Sequence, residues 1–346
     1  MWQVGLACRV SRLRLEKGCP TMRVAAAAIG LGLAAACARV SAQTHQFVPS
    51  QFYNTYSAAH PPALRIKAGD RVVTKTIDAA GVDWNGKSVG TGPNPETGPF
   101  YIEGAEPGDM LSVIFARIEP NRVMAYSASL LAPYAVDPQA IAARTDREPR
   151  RVTWTIDKAA RTARLDQADV QPGALTLPLR PMLGCAGVAP ARKEAFSTAT
   201  PGAYGGNMDY AGLNAGVTLM LPVNEPGALL FIGDGHARQG EGEVAGTGLE
   251  TSMDVEFTVK VTKGKAIGWP RLENDTHIMV LASARPLLEA FQHATTELQR
   301  WLMADYGLTE RGAQTFMGQA TEYEIANVVD PNFTVVAKIR KSLLTR

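Results

Sequence analysis

Met253-Asp-Val-Glu-Phe-Thr-Val-Lys-Val-Thr262, closed by Lys263-Gly264, alternates strictly between apolar and polar side chains. Met253, Val255, Phe257, Val259 and Val261 fall on one side, and Asp254, Glu256, Thr258 and Lys260 on the other. A period of two belongs to a strand with one buried and one wet face, the habit of antiparallel sheets. The neighbouring sequence follows the same rule. Ala63-Leu-Arg-Ile-Lys67 alternates, turns at Ala68-Gly69-Asp70 and resumes over residues 71–77. Phe100-Tyr-Ile-Glu103, the turn Glu106-Pro107-Gly108-Asp109 and residues 110–118 repeat this plan of strand, turn and strand. Residues 217–221, Asn224-Glu225-Pro226-Gly227 and residues 228–232 do so again, and the two Glu-Pro-Gly turns hint at related β-halves.

The period changes near the C-terminus. Leu287, Phe291, Ala294, Leu298, Trp301 and Leu302 form one helical stripe, with Gly307 placed to end it. A second helix starts at Thr309, and residues 333–339 close the chain as a strand. The expected fold is mainly β (α+β): an antiparallel β-sandwich-like core with a few C-terminal helices. Residues 43–140 make an N-terminal β-unit, 141–172 a charged, loop-rich insertion with one strand near 152–156, and 173–346 the β/α part that carries the chemistry. These parts pack as one globular unit.

The first 42 residues differ in kind. Met22-Arg23 precedes the apolar run 24–36, Cys37 and Val40-Ser41-Ala42, which reads as a secretory signal cleaved after Ala42 and too short for a permanent anchor. Met22 offers an alternative start, and lipid attachment at Cys37 is the lesser alternative. The expected location is periplasmic or secreted. Cleavage removes six basic residues against Glu16 alone, so the formal charge of +2 becomes −3. With no basic run left, nucleic-acid binding has no footing. Of four cysteines only Cys185 remains, so the mature chain forms no internal disulfide.

The chemistry concentrates in Phe231-Ile-Gly-Asp234-Gly-His236-Ala-Arg-Gln239-Gly-Glu241-Gly-Glu243. Side chains two apart in extended chain point the same way, so Asp234 and His236 share a target, and the glycines let a ligand approach. Three more glycine- or proline-rich polar segments surround it: Ser57-Ala-Ala-His60-Pro-Pro, the run 92–99 with Asn94 and Glu96, and the run 201–210 with Asn207 and Asp209. The main loop itself continues to Glu250. Asp209, Asp234, His236, Glu243 and Glu250 supply the mixed oxygen and nitrogen donors of a divalent-metal site, Zn²⁺ first, with Mn²⁺ or Ca²⁺ as alternatives. Glu243 or Glu241 is left to move protons. HExxH, CxxC, GxGxxG and EF-hand spacings are all lacking.

Four ordered motifs together resemble the acetamidase/formamidase family. They are Asn94-Pro-Glu-Thr-Gly-Pro-Phe-Tyr-Ile-Glu-Gly-Ala-Glu-Pro-Gly-Asp109, Gly205-Gly-Asn-Met-Asp-Tyr210, the run 226–243, and Gly246-Thr-Gly-Leu-Glu-Thr-Ser-Met-Asp254. The resemblance runs from about residue 45 to the end. It implies metal-dependent hydrolysis of a short aliphatic amide to carboxylate and ammonia on a β-rich fold. Carried onto this chain, the implied cluster is Asp209, Asp234, His236, Gln239, Glu243 and Glu250, with Asn207 and His60 as substrate-side groups. The expected roles are Asp209, Asp234, His236, Gln239 and Glu250 on the metal, Glu243 with His236 in catalysis, and Asn207 and His60 on substrate. A secretion signal is unexpected for an enzyme of nitrogen assimilation. Two rivals stand beside this reading: a Cys185 thiolate amidase, and a non-catalytic periplasmic β-domain stabilised by Ca²⁺. The expected partner is a small amide, with no stable membrane span; exposed strand edges make a homodimer a reasonable assembly.

Overall fold

The alternating stretch forms the strand Met253–Thr262, its odd-numbered residues buried through Val259. The computed structural model describes residues 42–344 apart from 146, 149, 166 and 168–172. The leader expected at 1–42 therefore lies outside the described residues, Ala42 excepted. Met253–Thr262 is third in a nine-stranded sheet, ordered Thr44–Gln46, Arg71–Lys75, Met253–Thr262, Met110–Pro120, Thr218–Pro222, Arg271–Glu273, His277–Ala284, Phe333–Arg340 and Glu322–Asn327. Only the first pair is parallel.

A six-stranded sheet faces it, ordered Gly205–Asn207, Met182–Gly187, Leu230–His236, Glu96–Ile102 and Phe52–Tyr53, with Leu64–Ile66 also paired to Glu96–Ile102. Val113, Phe115, Leu219 and Phe257 of the first sheet share one buried core with Ile66, Phe100, Leu183 and Phe231 of the second. Phe100 meets Phe257 edge-on across that core at 5.2 Å. This is the mainly β, sandwich-like core that alternation implies.

The strand, turn, strand units are not hairpins. Each passes from one sheet to the other: Glu96–Ile102 leads into Met110–Pro120, and Thr218–Pro222 into Leu230–His236. The two Glu-Pro-Gly arches lie side by side. Gly108 N–H donates to Val223 O at 3.0 Å, and Gly227 N–H to Ala105 O at 2.8 Å. Both large sheets also take strands from before residue 140 and after 173, so these boundaries divide the sequence without dividing the fold.

The helix Leu287–Tyr306 covers the outer face of the nine-stranded sheet. Its Ala290, Ala294, Leu298, Trp301 and Leu302 share a second core with strand residues such as Ile278, Val280 and Ala337. Gly307 ends it at φ 68°, and Thr309 caps the helix Glu310–Ala320 by accepting from Gly312 N–H. Among the described residues no helix is long and apolar enough to cross a membrane.

The segment 141–172 departs from expectation. In place of one strand in a loop it holds two, Arg151–Asp157 and Thr162–Leu165, paired within a four-stranded sheet with Leu175–Pro178 and Met124–Ala128. Val152, Trp154, Ile156, Ala163 and Leu165 bury their apolar side against Ala237 and Leu249. This small sheet thereby backs the glycine-rich loop. His45 sits in Thr44–Gln46 with its Nε2 2.9 Å from Asp70 Oδ2.

Candidate active site

Leu230–His236 carries Asp234 and His236 into the interior. Met182–Gly187 runs antiparallel beside it, pairing Leu183 with Gly235 and Cys185 with Gly233, so Gly184 stands opposite Asp234. Asp209 follows the strand Gly205–Asn207, and its N–H donates to Gly184 O at 3.2 Å. Glu250 pairs with His236 through an isolated β-bridge, while Glu243 enters from the short turn Glu241–Glu243. Asn94, Asp209, Asp234 and Glu243 all hold φ between 42° and 49°. Non-glycine residues adopt that conformation when the surrounding fold imposes it, a condition common at functional sites.

The five expected donor residues are brought together and buried, none more than 6% exposed. Asp209, His236 and Glu243 have donor atoms within 4.8 Å of one another, as do Asp234, His236 and Glu250. His236 Nε2 lies 3.0 Å from Glu250 Oε1 and 3.4 Å from Asp234 Oδ1, yet the angles make no hydrogen bond. Both oxygens of Asp209, Oδ1 of Asp234, Oε2 of Glu250 and Nε2 of His236 are buried without a partner. Leaving one buried polar group unsatisfied costs about 1–3 kcal/mol, more for a charge. Five such atoms converging fit a divalent cation, whose charge would satisfy them together.

Electrostatics agree. Burial and then the Asp234 charge raise Asp209 to about 6. Burial and Asp234 lift Glu250 to about 8 against the pull of His236. Burial and then Asp209 push Glu243 well up. Burial alone would lower His236, but Glu250 and Asp234 outweigh it and hold the imidazole well above its ordinary value. The cluster wants positive charge at its centre.

Gln239, expected on the metal, has a different task. Its Oε1 lies 2.8 Å from His236 Nδ1, and its Nε2 donates to the carbonyl oxygens of Asp209 at 2.5 Å and Ala326 at 3.2 Å. With the amide nitrogen so committed, Oε1 accepts from Nδ1–H, which turns the imidazole Nε2 toward Asp234 and Glu250. Gly248 N–H donates to Glu250 Oε1 at 2.9 Å and fixes that carboxylate in turn. The structure separates the three polar residues of the loop: Gln239 orients, Glu243 joins the cluster, and exposed Glu241 lines a different cavity with Arg180, Tyr210 and Lys338.

His60 stands apart. Its Nε2 is 2.7 Å from Thr55 Oγ1, its ring stacks on Tyr53 at 3.9 Å, and it lines a cavity with Tyr101, Lys193 and Leu229. Asn207 does reach the cluster, but its amide is occupied. Its Oδ1 accepts from Asn94 Nδ2 at 3.1 Å and from the Cys185 thiol at 2.9 Å, while Nδ2 donates to Asp330 at 3.1 Å. Cys185 faces the site, but burial and then the Glu96 and Asp234 charges push its pKa well up. A thiol so placed is a poor source of thiolate.

Glu96 and Asp330 were missed. Glu96 is fully buried with both oxygens unpartnered, and burial and then Asp234 hold its pKa well above the usual range. The run 92–99 signalled a polar site segment, but not that Glu96 would lie against Gly233. Asp330 comes from the turn before Phe333–Arg340, where nothing in the local sequence marks it.

A two-sheet fold thus encloses an imidazole and several carboxylates without partners, the donor set of a cation-binding centre. A sequence model of the Acetamidase/Formamidase family matches residues 159–330, a span that holds Asp209, Asp234, His236, Glu243 and Glu250. The chain is similar to the solved acetamidase of Yersinia enterocolitica, at 30% identity and TM-score 0.76 over 88% of this chain and 93% of that one. An acetamidase from Bacillus halodurans gives 28% identity and TM-score 0.73 over 86% and 98%. A putative formamidase of Schizosaccharomyces pombe is 25% identical over 327 residues, 78% of this chain and 77% of that one. The chain belongs to the acetamidase/formamidase family. It is an amidohydrolase acting on linear amides, which sets aside the non-catalytic reading.

Proposed function

We propose that this enzyme hydrolyses a linear aliphatic amide to carboxylate and ammonia with a divalent metal, Zn²⁺ first and Mn²⁺ or Ca²⁺ as alternatives. The observation that carries the reading is two buried donor triads that share His236, one with Asp209 and Glu243 and one with Asp234 and Glu250, in which Asp209, Asp234, His236 and Glu250 hold unpartnered atoms. These four residues would hold the ion. A divalent ion bound there supplies a Lewis acid for the amide carbonyl and lowers the pKa of water toward neutrality. The chain's residues do the rest. Gln239 fixes the imidazole, and Gly248 fixes Glu250. Glu243, buried beside Asp209 and His236, takes a proton from the attacking water and returns it to the leaving nitrogen. Water is thus split between the acyl carbon and the ammonia released.

Formamide and acetamide, named by the relatives, are the first substrates to test. His236→Ala is expected to abolish ammonia release with the circular dichroism spectrum unchanged, and Cys185→Ala to retain it. Turnover in the first variant, or its loss only in the second, would favour the cysteine mechanism. The signal read over residues 1–42 supports a periplasmic or secreted enzyme. N-terminal sequencing of the exported chain should begin at Gln43; a lipid-modified Cys37 would contradict that cleavage.

A further inference from the structure

A cavity of about 560 Å³ is lined by Trp84, Arg122, Met124, Tyr126, Arg151 and Thr153, together with Asp78. One row of backbone pairs links it to the acidic cluster. Thr153 pairs with Tyr126, Tyr126 with Glu250, and Glu250 with His236. The Tyr126 and Glu250 backbones exchange hydrogen bonds of 3.2 and 2.8 Å. Paired residues project their side chains to the same face, so these four stand in line, each about 5 Å from the next. Arg151 is two residues from Thr153 on that face, its guanidinium carbon 3.7 Å from the Tyr126 ring centroid. After burial, the Glu250 charge acts most strongly on the Tyr126 phenol. Tyr126 thus lines the cavity while its backbone is bridged to Glu250 of the cluster.

Size and charge then select the ligand. Cavities of roughly 300–1,000 Å³ hold ligands far larger than a two-carbon amide. Arg122 is matched by Asp78 at 2.5 Å, whereas Arg151 is exposed and stacked on the tyrosine, so the ionised lining carries two guanidiniums against one carboxylate. A stacked guanidinium keeps its planar fork free for bidentate bonding to a carboxylate.

We propose that this cavity receives the far end of the substrate, and that the substrate is a linear amide whose acyl chain ends in a carboxylate bound by Arg151. The methylenes then run past Tyr126 and Trp84 toward the cluster. The inference rests on the amidase reading of that cluster and concerns which amide it takes.

The test compares kcat/KM for the monoamides of succinic, glutaric and adipic acids with propionamide, butyramide and valeramide. The best charged amide should exceed its uncharged counterpart about tenfold or more, the scale of one charge-assisted hydrogen bond, and Arg151→Gln should erase that ratio. Equal values in the unaltered enzyme, or a ratio that survives the substitution, would overturn the proposal. Calorimetric titration with glutarate needs no turnover. Binding weakened about tenfold by Arg151→Gln supports the cavity's role; absent or unaltered binding overturns it. Failure to hydrolyse any amide would instead count against the reaction, and the glutarate titration would still decide the cavity.

Discussion

Three glycines make room for the charged groups of the site. A Cβ on Gly184 would overlap the carboxylates of Asp209 and Asp234, and one on Gly248 would overlap the His236 ring. A Cβ on Gly233 would sit 2.7 Å from both Glu96 oxygens. None of the three needs a positive φ, so space, not backbone freedom, excludes a side chain. Gly184→Ala should therefore fold but displace the ligands. Since an error of about 1 Å can cost about 100-fold in rate, ammonia release should drop at least that much, with metal content lowered in elemental analysis. Normal metal content and turnover would show that the cluster is not the working site. The donors Asp234, His236, Glu243 and Glu250 were readable in sequence because glycines isolate them in one loop. Glu96 was not, because its placement depends on pairing with a strand more than a hundred residues away.

At the scale of elements, alternation identifies strands but carries no information about partners. Met253–Thr262, Leu287–Tyr306 and the Thr309 cap were evident because period and capping are local. The arches between sheets were not, since a strand, turn, strand sequence serves a hairpin or a crossing equally well. Arg151–Asp157 was evident near 152–156, but Thr162–Leu165 was blurred by its short length and the charged Arg164, although every second residue is buried. The helical layer adds a buried ion pair. Arg271 Nε and Nη2 donate to Glu297 Oε1 at 2.9 and 2.6 Å, with both residues nearly inaccessible. Glu297→Ala leaves the guanidinium buried and unpaired, which should cost about 3–5 kcal/mol. Denaturant unfolding of the two proteins measures it, and a loss below about 1 kcal/mol, the scale of an exposed pair, would contradict the account.

For the molecule as a whole, the fold explains why so much unpaired charge can be assembled. The two cores and the small sheet behind the loop provide the apolar burial that holds Asp209, Asp234, Glu243 and Glu250 in place despite their mutual repulsion. Sequence alone pointed to the acidic cluster and the sandwich-like class, but not that the Gln239 amide would hold His236. That contact depends on where Asp209 O and Ala326 O fall in three dimensions. A bound cation would tie these parts together, and because an ion that binds only the folded state adds to its stability, chelation should also lower Tm. The most direct test is amide hydrolysis by exhaustively demetallated enzyme as Zn²⁺ is titrated back. The account predicts no ammonia release from the stripped protein and activity that rises to a plateau as the site fills, whereas full activity without metal would contradict it.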